Sequence, residues 1–588
     1  MKYIGENIRM NTTSMPSQDE QEAGQQERWA TSDFSPSTAY RAAFLIDGRM
    51  TMLEMCIHFL RAKNSIYIAA WGLTPNLPII RGKHHRAGPD GSPEQEELLI
   101  WLRKKGLSES AITFWQESEA LTVTSVLGYV TRQGVDVCVL LWDFFSAPLQ
   151  VGPQQVKEEL ESYGIRCLTD NGNRDLLNHP IQSLHQKTVV IDNRYAFVGG
   201  IDLMTERNGD FDRWDTKGHI YYNLLRQGLD GQMPHSWHDV HFRFEGPAVG
   251  DVAYNFYQRW NAVVDRQQLD EALLLPAPSK DVPPTDRRKH EAIPIQVTRT
   301  IPTQTYDFAP DGIASIFEAY LHAIGQAQCF IYLENQYLWR RTFLGLDNPT
   351  FGPPHEDMER LLQALADALE RGVHIVLVLP DHPNVGRHFT DDGLSYLQEL
   401  APGAIGAGRL QVYTLATDHQ EEEEAGRYYR PIYVHAKVAI IDDYWATVGS
   451  ANLNDRGMRH DAELNIAMQH ETIAHALRVL LMAEHLGVVD EDMLFAMIEI
   501  MGRLEPSDEM HRVSGELGAL WASLQALLTD PYAAMAAFAK QARTNLEAIR
   551  NGHALTGHLV PYIRQNLADD YELAVDATKG WLYQFSKP

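Results

Sequence analysis

The sequence predicts an α/β protein made of two similar halves, on three observations. Helical spacing followed by a short apolar, β-rich run recurs along the chain, a proline-rich stretch interrupts that rhythm and lets it restart, and one polar pattern stands once in each half. In the first half, LEMCIHFLRAK carries apolar residues at helical spacing, and SIYIAAWGL after it is a run of strand length. VLGYVTRQG and VDVCVLLWD repeat the order, and GIRCLTD adds a further strand. Continuous apolar runs of this kind suit strands covered on both faces. The segment 246–264, GPAVGDVAYNFYQRWNAVV, reads as a helix closing this half.

LLLPAPSKDVPPTDRRKHEAIPIQ, rich in proline and mixed in charge, marks a linker over 274–296. After it come helix IASIFEAYLHAIGQA, strand CFIYLENQYL, helix MERLLQALADALERG and strand VHIVLVLP, in the order of the first half. The boundaries expected are a first lobe over 39–273 and a second over 297–490. Residues 1–38, rich in Ser, Thr, Gln and Glu, read as a flexible arm. Residues 491–588 read as mostly helical, with EDMLFAMIEIMGRL, LGALWASLQALL and AAMAAFAKQARTNLEAI as packing elements. The acidic run Glu421 to Glu424 reads as a solvated loop.

Of the 588 residues, 44% are hydrophobic and 22% charged, which is the balance of a globular protein and not of a disordered one. Lys and Arg number 51 against 78 Asp and Glu, a net charge of −27. Such a chain is unsuited to coating nucleic acid or adhering broadly to anionic surfaces, whereas a local cationic pocket for one phosphate remains open to it. The four cysteines, Cys56, Cys138, Cys167 and Cys329, lie in or beside apolar runs without a CxxC pair, so they read as reduced and buried. Glu6, Asn7 and Arg9 break up the N-terminus, and no apolar run reaches membrane-spanning length. The expectation is therefore a cytoplasmic protein with peripheral membrane contact, or one exported without a signal peptide.

The repeated pattern is His185-Gln-Lys187-Thr-Val-Val-Ile-Asp192 and His435-Ala-Lys437-Val-Ala-Ile-Ile-Asp442, with Gly199 and Gly449 at the same offset downstream. TVVI and VAII are strand sequences, each turning at its aspartate and returning as YAFVGG or YWATVGS. A period of two puts each histidine and lysine on one face and the aspartate on the other. The aspartate then anchors the turn, while histidine and lysine are available to an anion. Two such sets suit phosphodiester cleavage. One neutral imidazole attacks phosphorus, a second, protonated one donates to the leaving alcohol, and the lysines hold the charge that develops on the oxygens. No metal is needed for that scheme, and no cofactor is called for. His238 and His241 in WHDVH have no ligand cluster near them in sequence and read as structural.

At these residues the chain resembles the phospholipase D superfamily, whose hallmark is a duplicated HxKxxxxD motif. HQKTVVID with AFVGGIDL, and IYVHAKVAIIDDYWATVGSANLNDRGM, are similar to the two motifs of eukaryotic-type members. IYLENQYL, IYIAAWGL, RWDTKGH, WHDVHFRFEGPA, LLMAEHLG and GHLVPY extend the similarity over about 40–588, leaving no room for C2, PX or PH domains. The resemblance implies two α/β lobes about a pseudo-two-fold axis with one site at the seam. It implies a catalytic set of His185, Lys187, Asp192, His435, Lys437 and Asp442, with His185 as nucleophile and His435 as acid and then base. Lys187, Lys437 and Asn452 would bind phosphate. Asp202 replaces asparagine in the first lobe, and its carboxylate would repel a phosphate.

The family orients each histidine with a downstream carboxylate, for which Asp215 and Glu463 match best and Asp461 is a rival. The activity implied is hydrolysis of a glycerophospholipid at a membrane or micelle interface to phosphatidic acid and head-group alcohol, with transfer to added alcohols. The alternatives are a nuclease, a cardiolipin-synthase-like transferase or a non-catalytic lipid-binding scaffold. Both half-sites lie in one chain, so a monomer is expected, without nucleic acid as a partner. The loop 338–354, with Trp339, Phe343, Leu344 and Phe351 beside Arg340 and Arg341, could dip into lipid or pack in the core. Because the lysines supply the positive charge, dialysis against a chelator is expected to leave turnover intact; strict metal dependence in the same assay would contradict the two-histidine scheme.

Overall fold

The computed structural model describes residues 29–588 except 82–94, 144–151, 171, 173–181, 206–234, 280–291, 344–350, 382–385, 421–426, 491–492, 495, 499–514, 564–572, 577–579 and 584–588. The acidic run 421–424 and most of the expected linker lie outside the described residues.

The strands of the first half are β1 (Ser37–Ala39), β2 (Arg41–Ile46), β3 (Ser65–Ala70), β4 (Asp136–Trp142), β5 (Arg166–Asp170), β6 (Thr188–Ile191), β7 (Tyr195–Gly199), β8 (Trp237–His238) and β9 (Val240–Glu245). The second half supplies β10 (Ile293–Ile301), β11 (Ile313–Ala314), β12 (Phe330–Asn335), β13 (Arg341–Phe343), β14 (Phe351–Pro354), β15 (His374–Val378), β16 (Leu410–Gln420), β17 (Arg427–Val434), β18 (Lys437–Ile441), β19 (Trp445–Gly449) and β20 (Glu463–Gln469). One sheet runs β2-β9-β7-β6-β3-β4-β5, and the other contains the run β10-β20-β19-β18-β12-β15-β16. Strand for strand the directions agree: antiparallel pairs as far as β3 or β12, then two parallel pairs. The chain is therefore a mixed α/β protein with a duplicated sheet, and β3, β4, β5, β12 and β15 fall where the alternation of helical and apolar runs placed them.

Side-chain alternation explains the layering. Val438 and Ile440 of β18 enter a core shared with Val190 and Val198 of the first sheet, while Ala439 and Ile441 face the helices on the outside. The helix Glu356–Arg371 shows how these outer helices form. Met358, Leu361, Leu362, Leu365 and Leu369 make one buried stripe, Glu356, Asp357 and Glu359 occupy the first turn, and Gly372 ends it in the left-handed region at φ 101°.

Several expectations are corrected. The last part of the supposed arm is packed: Phe34 is buried, Arg299 forms an ion pair with Asp33, and β1 pairs with β10 of the second sheet. The segment after 490 does hold helices, Glu516–Leu528 and Pro531–Arg550, but it also adds strands to the second sheet. Leu559–Pro561 pairs with β16, and Gly580–Tyr583 pairs with β17, where the sheet would otherwise expose unpaired backbone. Cys56, Cys138 and Cys167 are buried, whereas Cys329 is exposed beside β12. Trp339 is buried against Tyr337 and Phe389, Arg340 and Arg341 pair with Asp392, and Leu344 lies outside the described residues.

The hairpins β6–β7 and β18–β19 show why the motif aspartates are needed. Asp192 and Asn193 (φ 53° and 48°), and Asp442 and Asp443 (53° and 50°), take the positive φ that a tight mirror-image turn demands and that Asn and Asp tolerate best among non-glycine residues. Asp192 accepts backbone N–H groups from Lys63, Asn64 and Ser65 at 3.0, 2.7 and 3.0 Å. Asp442 does the same for Gln328, Cys329 and Phe330 at 2.8, 2.8 and 2.9 Å. Each carboxylate thus ties a hairpin turn to the start of the strand beside it. Asp442→Ala should lower the stability measured by urea unfolding by about 1–2 kcal/mol, with Asp442→Asn between it and the parent. Wild-type stability in Asp442→Ala would show the tie to be dispensable.

Candidate active site

His185 and His435 stand just ahead of β6 and β18, at the point where the chain leaves one lobe to touch the other. Leu184 bridges to Ala462 in parallel, and the His185 N–H donates to the Ala462 carbonyl at 2.9 Å. In the second lobe, Val434 pairs with His238 through β17 and β8, and the His435 N–H donates to the His238 carbonyl at 2.8 Å. Each histidine is therefore spliced to a segment of the opposite half.

The side chains follow the same exchange. His185 donates Nδ1–H to Glu463 Oε1 at 2.8 Å, and His435 donates Nδ1–H to Asp239 Oδ2 at 2.7 Å. Both carboxylates are fully buried, and a proton held on Nδ1 leaves Nε2 of each ring as the reacting atom. Asp461, the rival to Glu463, instead accepts the Ser183 N–H at 2.8 Å and pairs with Arg456. Asp215 lies outside the described residues, and the place it was assigned beside a histidine is filled by Asp239. The duplication held the clue: Gly199 pairs with His241 and Gly449 with Asn465, so the residues two places earlier, Asp239 and Glu463, are equivalent.

Glycine is required at both approaches. A Cβ on Gly200 would lie 2.0 Å from Asp239 Oδ1, and one on Gly449 would lie 2.0 Å from Asn465 Oδ1. Asn465 in turn accepts the N–H groups of Ser450 and Ala451 at 3.1 and 3.2 Å, as His241 accepts that of Ile201 at 3.4 Å.

Both lysines are buried. Lys187 donates to the His185 carbonyl at 2.8 Å and pairs with Asp202 Oδ2 at 3.1 Å. Lys437 donates to the His435 carbonyl and to Gln336 Oε1, the latter at 3.1 Å. The two halves are thus chemically unequal: a carboxylate offsets the cation in the first, and a neutral amide faces it in the second. Asn452, where the first lobe has Asp202, is buried, and its Oδ1 has no hydrogen-bond partner among the described residues. Aromatic rings line the same region, with Trp237 4.4 Å from the His435 ring and Trp71 6.4 Å from that of His185, centroid to centroid. Asp192 and Asp442, carried in the catalytic set by their motif, are corrected to structural anchors at the turns.

Burial pushes the Asp239 carboxyl up to about 7, against the pull of Lys437. Burial, with Asp461 adding to it, pushes Glu463 well above the ordinary carboxyl range, Lys187 and Lys437 opposing. A carboxylate that is costly to leave charged gains most when the imidazole beside it becomes cationic, so both pairs favour charge building up on the ring. His241 is driven down to about 3 by burial and then by Lys187, and stays neutral.

A second buried group adjoins the site. His238 bonds through Nε2 to Glu334 Oε2 at 2.8 Å and through Nδ1 to Asp47 Oδ1 at 3.0 Å. His485 bonds through Nε2 to Glu334 Oε1 at 2.8 Å and faces Glu484 through Nδ1 at 2.5 Å. Of the described residues, His238, Glu334 and His485, and likewise Asp47, His238 and Glu484, bring their ligand atoms close enough to hold a metal ion. Nothing in sequence marks this cluster, because its members come from distant segments.

Comparison with known proteins agrees with this geometry. Residues 109–345 match the Phospholipase D family, and residues 320–482 match the family described as Cardiolipin synthase, PLD-like domain, so that each match takes in one HxK motif. Phospholipase D alpha 1 of Nicotiana tabacum is 26% identical over 556 residues, covering 74% of this chain and 63% of its own. Phospholipase D alpha 1 of Arabidopsis thaliana is 26% identical over 576 residues, covering 79% and 66%. The chain thus spans less than two thirds of the length of these relatives. A structure of phosphatidylserine synthase from Haemophilus influenzae aligns with a TM-score of 0.43 at 12% identity, covering 88% of this chain and 100% of that one. With a duplicated sheet, a histidine-lysine motif in each half and a family match over each motif, the chain belongs to the phospholipase D superfamily.

Proposed function

We propose that the seam catalyses phosphodiester transfer on a glycerophospholipid, releasing phosphatidic acid and the head-group alcohol when water is the acceptor. The observation that carries this reading is the pair of imidazoles, each followed by a buried lysine and held at Nδ1 by a buried carboxylate from the other half. His185 Nε2 attacks phosphorus as the bond to the head-group oxygen breaks, and His435 gives that oxygen its Nε2 proton. A phosphohistidine results. His435, now neutral, takes a proton from water, whose oxygen attacks phosphorus and breaks the P–N bond. Lys187, Lys437 and the Asn452 amide hold the non-bridging oxygens as charge develops.

An alcohol in place of water gives a new phosphodiester. The match of 320–482 to a cardiolipin-synthase-type family supports this transferase outcome as the second reading. The net charge of −27 disfavours nucleic acid as substrate. Lipid presented at a membrane or micelle surface to a single chain is the substrate form proposed. Among the described residues no helix is long and apolar enough to cross a membrane.

The deciding assay is a panel of phospholipids differing in head group, in mixed micelles with ethanol present. Release of phosphatidic acid or phosphatidylethanol is expected, and His185→Ala and His435→Ala should each lower it roughly a thousandfold. Failure to turn over every phospholipid offered, or faster cleavage of single-stranded DNA, would overturn the reading. The titration of Asp239 gives a second expectation. Between its unfolded value near 3.8 and about 7, the folded chain holds a proton that the unfolded chain has released, so this group's contribution to stability falls as pH rises through that window. The melting temperature of Asp239→Asn relative to the parent should therefore rise between about pH 5 and pH 8. A difference that stays flat or falls would place the carboxyl's titration elsewhere.

A further inference from the structure

The two splices at the seam are equivalent in backbone but are secured differently. At the His185 splice the partner residue is Ala462, whose methyl side chain offers no hydrogen bond, and neighbouring Asp461 fixes the junction by accepting the Ser183 N–H and pairing with Arg456. At the His435 splice the partner residue is His238, and its ring occupies the buried cluster with Glu334, Asp47, His485 and Glu484. β8 has only two residues, and the Tyr433 and His435 N–H groups that flank its pairing with β17 donate to the Ser236 and His238 carbonyls. So short a strand cannot hold itself in place through backbone pairing.

The surrounding groups converge on this strand. Asp47 donates its N–H to the Asp239 carbonyl at 2.8 Å while its Oδ1 accepts the Asp239 N–H at 3.2 Å, gripping from both sides the residue that holds His435. To do so it adopts φ 64°, a left-handed conformation that costs energy in a non-glycine residue. Glu334 offers one oxygen to each imidazole, and the Tyr332 hydroxyl donates to its Oε1 at 2.5 Å. Burial opposes a charged His238, but Asp47 and Glu334 outweigh it and hold the ring well above the ordinary imidazole value. His485 is raised in the same way against burial, by Glu334 and Glu484. Two imidazole rings and three carboxylates thus close a buried cluster around β8.

We infer that His238 is a positioning residue: its ring, clamped between Asp47 and Glu334, pins β8 in the second lobe and thereby aims Asp239 at His435. This inference rests on the proposed role of His435 as acid and base, so its test includes a readout independent of turnover. Hydrogen–deuterium exchange of the segment 431–436 reports the amides of Tyr433 and His435, the two that bond to β8. In full-length His238→Gln these amides should exchange at least about tenfold faster while those of β15 stay as in the parent, since local opening leaves distant strands protected.

In the lipid assay, kcat should fall about 10- to 100-fold with KM within about twofold, as expected when a supporting group is lost and substrate contacts remain. Asp47→Asn, which tolerates the positive φ and keeps an oxygen acceptor, should retain more turnover than Asp47→Ala. Unchanged exchange at 433–435 in His238→Gln would overturn the inference, as would a kcat equal to that of the parent. Elemental analysis supplies a third arm: one equivalent of a divalent metal in the purified parent, lost in His238→Gln, would make the cluster a metal centre and overturn the ionic pin. If the parent turns over no phosphodiester, the functional reading fails, and the exchange result alone decides whether His238 pins the strand.

Discussion

The structure depends on an exchange of buried hydrogen bonds between halves. Each motif imidazole belongs to one lobe, and the carboxylate bonded to its Nδ1 belongs to the other. Removing either carboxylate from water is costly unless the ring is there to meet it, and neither lobe can supply both partners. The shared apolar core beneath the seam, the close glycine approaches at Gly200 and Gly449 and the short strand β8 all serve to bring these pairs to hydrogen-bonding distance.

Duplication explains the symmetry, and its departures explain how one half can differ in role from the other. Ser450 donates to Glu463 where the first lobe has Gly200, which leaves no room for any side chain against Asp239. Asp202 neutralises Lys187, whereas Asn452 stands at the matching position beside the second motif. An anion entering such a seam would meet a compensated cation on one side and a cation flanked by neutral amides on the other. The two ester arms of a phosphodiester would thereby be inequivalent even though the backbone scaffold repeats.

Much of this was legible in the sequence because it is written locally. Apolar runs of strand length, helical stripes and the twin HxK motifs gave the mixed α/β class, the duplication and four of the site residues. Glu463 was reachable through the family resemblance, which calls for a carboxylate downstream of the second motif. Asp239 was not found, since Asp215 took its place in the reading and its partner lies in the other half; only alignment of the two sheets, strand against strand, reveals it as the counterpart of Glu463. The cluster of Asp47, His238, Glu334 and His485 was hidden for the same reason. The fate of the segment after 490 turned on an open sheet edge, which helical periodicity cannot report.

The crossing of β8 into the second lobe also has a kinetic meaning. Trp237 and His238 must find Tyr433 and Val434 across most of the intervening chain, so this contact closes a very long loop and has little to reward it until both lobes have largely formed. Assembly of the seam is then a late event on the folding path, and in a chain with one finished lobe neither motif imidazole is bonded to its carboxylate.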